Sequence, residues 1–75
     1  MALSFQLTHH GHVHKFQVVP AFRGWDVREE QDATVLYQAH RNDWSRVELD
    51  LKRFNARATW LEHAGWRTDV ADSRR

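Results

Sequence analysis

A chain of 75 residues with a formal net charge of +1 makes one small domain, near the lower limit for folding unaided. It contains no cysteine, which excludes a disulfide framework and any thiolate metal site. Acidic and basic residues nearly balance, without the clear basic excess that a dedicated nucleic-acid module carries on one face.

The first residues, Met1 to Leu7, have neither a basic n-region nor an apolar h-region, so no signal peptide is expected. No apolar run reaches the length of about 18 residues that spans a bilayer. Together with the lack of cysteine, this predicts a cytoplasmic protein without membrane attachment. Four Trp, four Phe and one Tyr supply the bulk for a thin core, since each aromatic buries about 150–250 Å².

In chain order, Leu3, Phe5 and Leu7 alternate with polar residues, the period of a half-buried strand. His10-Gly11 reads as a two-residue hairpin turn, with glycine supplying a positive φ. Val13 to Val19 is then the second strand, and the register follows: His9 opposite His12, Leu7 opposite His14, Phe5 opposite Phe16, Leu3 opposite Val18. Apolar meets apolar on one face, which supports the turn independently. Pro20 ends this strand because it cannot donate to a ladder. A four-residue loop, Pro20 to Arg23, leads to a third strand over Gly24 to Glu30 and sets Val18 against Trp25, Phe16 against Val27 and His14 against Glu29. Lys15, Gln17, Asp26, Arg28 and Glu30 suit the opposite, solvated face.

Thr34 to His40 is a fourth strand by β-propensity. A three-residue turn over Gln31-Asp32-Ala33 puts Val35, Tyr37 and Ala39 inward and fills the core. A two- or four-residue turn puts Leu36 inward instead. The first is the expectation.

The longest element runs from Asn42 to Trp66. Trp44, Val47, Leu51, Phe54, Ala58 and Leu61 recur at steps of three and four and line one face of an α-helix. Asn42 or Asp43 can cap its start through a side-chain oxygen, worth about 1 kcal/mol. Gly65 sits where a left-handed residue closes a helix, with Trp66 positioned to return onto Leu61. The predicted fold is α+β: a four-stranded antiparallel meander with one long C-terminal helix across one face (ββββα). A single domain over residues 1–66 and a polar, frayed tail over 67–75 complete the organisation.

Three stretches offer chemistry. On the predicted register His9, His12 and His14 share one side of the first hairpin, with Glu29 opposite His14. Three imidazoles and a carboxylate are an acceptable zinc set, but a polar hairpin tip with His14 paired to Glu29 is the favoured reading, because metal sites need further supporting partners and usually draw ligands from more than one element. On the helix, Leu49, Ala56 and Trp60 fall away from the inward stripe, flanked by Arg53 and His63. These five residues predict a surface for a protein partner, the same chain included, as a homodimer. Nucleic acid is a further reading, since the C-terminal half holds most of the arginines. However, Asp43, Glu48, Asp50 and Glu62 are interleaved with them, and phosphate binding needs unopposed cations.

No Gly-rich phosphate loop, nucleophile elbow or cysteine nucleophile is present, so no catalysis and no cofactor are expected. Val19-Pro20-Ala21, followed after Phe22-Arg23 by Gly24-Trp25, resembles the proline-to-tryptophan stretch of the MbtH-like proteins, small partners of peptide synthetase adenylation domains. The stretch has two extra residues inside it and the family's other motifs are missing, so no function is carried over. The expectation is a small non-catalytic protein acting through protein–protein contact.

Overall fold

A computed structural model describes residues 2–69. Its elements are β1 (Leu3–His9), β2 (His12–Ala21), β3 (Gly24–Gln31), β4 (Thr34–Arg41), α1 (Trp44–His63) and β5 (Arg67–Asp69). The strands form one antiparallel sheet in the order β4-β3-β2-β1-β5, with α1 packed on one face. The predicted α+β meander with its long helix is therefore the observed fold. Arg67–Asp69, placed in the tail on sequence grounds, pairs with Thr8–Gln6 and becomes a short edge strand. Residues 70–75 of that tail lie outside the described residues.

The first hairpin has the predicted register throughout, from His9 opposite His12 to Leu3 opposite Val18. His10 and Gly11 both take positive φ (49° and 81°), the geometry of the two-residue turn whose twist suits flanking strands.

The second hairpin differs from expectation. Phe22 and Arg23 close a two-residue turn, Ala21 pairs with Gly24, and Pro20 lies inside β2 opposite Trp25. The proline is tolerated because β1 pairs no further than Val18. At Pro20, β2 has a strand on one side only, so a missing N–H leaves no gap in a ladder. The shift is two residues, so side-chain parity survives while partners change. Val18 faces Val27, Phe16 faces Glu29 and His14 faces Gln31. The tighter turn also brings Gly24 beneath the β4–α1 junction, where a Cβ would collide with the Arg41 carbonyl oxygen.

The third hairpin combines two of the alternatives. Its turn is again two residues, Asp32-Ala33, with Gln31 opposite Thr34 and Glu30 opposite Val35. A bulge then admits Leu36 as an extra residue, so Glu29 faces Tyr37 and Val27 faces Ala39. Tyr37 and Ala39 accordingly pack against the core as expected. Val35 does not: the short turn aligns it with Glu30 on the open face, and Leu36 is exposed as well.

The core joins Leu7, Phe16, Val18 and Val27 of the sheet to Val47, Phe54 and Leu61 of α1. Phe16 is the link, its ring 4.9 Å from both Phe5 and Phe54. The predicted helical stripe is the packed one, with Leu51 and Ala58 half-buried beside it and Trp44 set edge-on to Trp25 at 5.1 Å. Asp43 is the N-cap, its Oδ1 accepting from the Ser45 N–H at 3.2 Å. At the other end Trp66 N–H donates to Leu61 O and Gly65 N–H to Glu62 O, each at 3.0 Å, with Gly65 at φ 105°. Those two bonds define the predicted Schellman closure, and Trp66 turns back onto the core.

Candidate interaction surface

The helix carries two stripes of different chemistry. The inward one contains a substitution that hydropathy alone conceals. Val47, Asp50, Phe54, Arg57 and Leu61 follow the same three–four alternation, so Asp50 and Arg57 fall where apolar residues are expected. Asp50 is 1% exposed. Arg41, the last residue of β4, meets it with Nε 2.8 Å from Oδ2 and Nη2 3.3 Å from Oδ1, while the same Nη2 donates to Tyr37 Oη at 2.7 Å. The hydrogen bond to Asp50 is the main reason the Arg41 guanidinium is held above its ordinary pKa. Arg53 adds a longer contact to Asp50 Oδ1 at 3.5 Å and lies 4.9 Å over the Tyr37 ring.

One turn further along, Arg57 Nε donates to Glu29 Oε2 at 3.3 Å. Glu29 also lies 2.6 Å from His14 Nε2, and the second ring nitrogen of His14 is 3.1 Å from Gln31 Oε1. Both His14 and Glu29 are buried. A buried carboxylate requires such partners, because desolvation without them costs several kcal/mol. The pairing of His14 with Glu29 is thus present, though diagonal across the strands rather than directly opposite as the longer turn had implied. Tyr37 is inward as expected, but the pairing of Arg41 with Asp50 and Tyr37 and of Arg57 with Glu29 is not among the sequence-based expectations. The polar residues at 50 and 57 inside an otherwise apolar alternation were the available signal.

The histidines proposed as metal ligands separate. His9 packs against His10 and Trp66, with ring centroids 4.0 and 5.5 Å away. His12 Nδ1 lies 2.7 Å from Asp32 Oδ2, and His14 engages Glu29 and Gln31. The two-residue turn at Asp32-Ala33 explains this. It carries Asp32 back over β2, where its Oδ1 also accepts from the Val13 N–H at 2.8 Å. That backbone bond, with the His12 contact behind it, holds the Asp32 carboxyl below its ordinary pKa. Among the described residues no group of three His, Asp or Glu side chains is arranged to hold a metal ion.

The outer stripe holds the five residues expected to meet a partner. Leu49, Arg53, Ala56, Trp60 and His63 recur at steps of four, three, four and three, and all are exposed. Leu49 and Trp60 are each 63% exposed, and Arg57 lies 5.9 Å over the Trp60 ring. A shallow depression of about 460 Å³ opens beside Leu49, lined by Ser45, Glu48, Leu51, Lys52 and Asn55. By contrast, the open face of the sheet presents Lys15, Gln17, Asp26 and Arg28 from its central strands, and Tyr37 points the other way, into the seam beneath α1.

Fold and surface define a small α+β protein whose sheet is covered on one side by a helix with a second apolar stripe that is exposed among the described residues. No family model, curated protein or solved structure matches the chain. The stretch resembling MbtH-like proteins is here the end of β2, a two-residue turn and the start of β3. Among the described residues no helix is long and apolar enough to cross a membrane.

Proposed function

We propose that this chain is a non-catalytic binding protein that docks a partner protein on the outer face of α1. The observation that carries the reading is the exposure of Leu49 and Trp60 on one stripe of the longest element, with Ala56 between them. Isolated exposed apolar residues are ordinary. An exposed indole aligned with leucine on a regular helix is less so, because Trp, Tyr and Arg are enriched among the few residues that carry most of the binding energy of interfaces. The stripe is backed from beneath by the Phe54–Phe16 contact and by the part-buried ion pairs of Arg41 with Asp50 and Arg57 with Glu29, and a face already set on a regular helix has less to order on docking. The best-placed ionisable side chains, His14, Glu29 and Asp50, are buried and engaged with one another or with arginine. They serve the packing of the helix rather than a reactive cleft.

The test is site-specific photo-crosslinking in the source cell, with the photoreactive residue placed at Leu49 or Trp60 and, as controls, at Gln17 or Gln38 on the open sheet face. The expected result is one identified protein, shared by both helix positions and missing from both sheet positions. The same adducts from the two faces, or none from the helix, would contradict the proposal. An adduct with a second copy would make self-association the mode of contact.

A further inference from the structure

From the distribution of charge on α1 we infer that the outer face receives an acidic protein segment, one that presents carboxylates around an apolar centre. This inference rests on the docking role proposed above and specifies its partner.

In the sequence, acids and bases are interleaved along the helix and nearly cancel. The fold separates them. At about 100° per residue, Arg46, Lys52, Arg53 and Arg57 all lie within about 80° of the Leu49–Trp60 line. The helix has three acids, and none shares that arc. Asp50 is buried against Arg41. Glu62 is turned toward β5, accepting from Thr68 Oγ1 at 2.6 Å. Glu48 lies on the far shoulder, about 100° from Leu49. The exposed arc around Leu49, Ala56 and Trp60 is therefore apolar at its centre and wholly cationic among its formally charged residues.

Two of these cations are also prearranged. Arg53 and Arg57 each direct a nitrogen inward, to Asp50 at 3.5 Å and to Glu29 at 3.3 Å, yet remain 57% and 46% exposed. A guanidinium has five N–H donors in a fixed fork, so anchoring one edge on a buried carboxylate leaves other donors aimed at solvent. Bidentate capture of an incoming carboxylate is what such a group does best. Arg46 and Lys52 form no ion pair with another described residue.

Two other occupants fit less well. A second copy would meet the patch with itself, because a two-fold interface is isologous. Every formal charge in the patch is positive, so like would face like. Nucleic acid would satisfy the cations, but it leaves Leu49 and Ala56 without an apolar counterpart. An apolar centre with a charged rim is the anatomy of a protein interface, and single-strand readers stack bases on several aromatics, whereas Trp60 stands alone here.

The experiment uses the full chain and three fluorescently labelled probes in anisotropy titrations. They are an amphipathic peptide with leucines at helical spacing flanked by glutamates, its twin with glutamine for every glutamate, and a single-stranded oligonucleotide. The glutamate peptide is expected to bind at low salt and the glutamine twin at least about tenfold more weakly. Trp60→Glu is expected to abolish binding, while Gln17→Glu on the open sheet face leaves it unchanged. Equal binding of the two peptides, both lost in Trp60→Glu, would overturn the acidic partner and leave the docking face standing. Failure of the glutamate peptide to bind, or tighter binding of the oligonucleotide, would also overturn the inference, and the crosslinks would then decide the docking face separately.

Discussion

Ala33 occupies a backbone conformation that side chains with a Cβ rarely adopt. It follows Asp32 (φ 50°) with φ 68°, and a left-handed residue other than glycine costs roughly 1–2 kcal/mol. Its substitution by glycine gives Asp-Gly, the pair this type of turn prefers. Part of the gain is offset by the greater freedom of glycine in the unfolded chain, so Ala33→Gly should stabilise the protein by about 0.5–1 kcal/mol. Urea denaturation checks this, and an unchanged or lower midpoint would contradict the turn geometry. The same residue shows why the third hairpin was only partly legible. Gly11 and Gly65 each signal their turn or cap through a residue type that suits the geometry, as does Asp43, one of the two N-cap candidates. At 32–33 no glycine marks the turn, and the bulge at Leu36 has no sequence signature at all. The bulge compensates for the shorter turn, which is why Tyr37 and Ala39 were placed inward correctly although the turn length was wrong.

At the scale of elements, α1 is held by apolar contacts on one side of its inward face and by ion pairs on the other. The arrangement makes a specific claim about His14 and Glu29. Their contact at 2.6 Å is buried, and without His14 the buried Glu29 carboxylate keeps only the longer contact to the half-exposed Arg57 at 3.3 Å. His14→Leu should therefore destabilise the fold by about 3 kcal/mol. The double variant His14→Leu/Glu29→Met should recover most of that loss, because well-packed apolar residues often replace a buried pair at little cost. Chemical denaturation of the two variants and the parent makes the comparison. A double variant no more stable than His14→Leu would mean that the loss does not come from a Glu29 carboxylate left short of partners. Periodicity identified the helix and its packed stripe because burial of apolar residues leaves a spacing. It missed the pairs of Asp50 with Arg41 and of Arg57 with Glu29, since a polar residue inside an apolar alternation looks like an interruption until its partner is known. That partner sits on a strand nine residues earlier in the case of Asp50, and 28 residues earlier for Arg57.

For the whole molecule, the two exposed faces differ in kind. The open sheet face mixes Lys15, Gln17, Asp26, Arg28 and Glu30, as sequence alternation had implied, and neither sign of charge dominates it. The free edge of β4 presents Val35 and Leu36, but the bulge between them and Tyr37 disrupts the regular ladder that an added strand would need. The outer face of α1 combines exposed apolar side chains with charge of one sign. Its five residues were legible from the sequence as a stripe set away from the core. Its charge was not, because the acids adjacent in sequence are removed by burial, by β5 and by rotation around the helix axis. The central claim is that this face is reserved for an acidic partner and not for a second copy. Light scattering of the purified chain, across a range of concentration and salt, tests that claim most directly. A monomer mass throughout, the same for the parent and for Trp60→Glu, is the predicted result. A dimer of the parent that reverts to monomer in Trp60→Glu would contradict it.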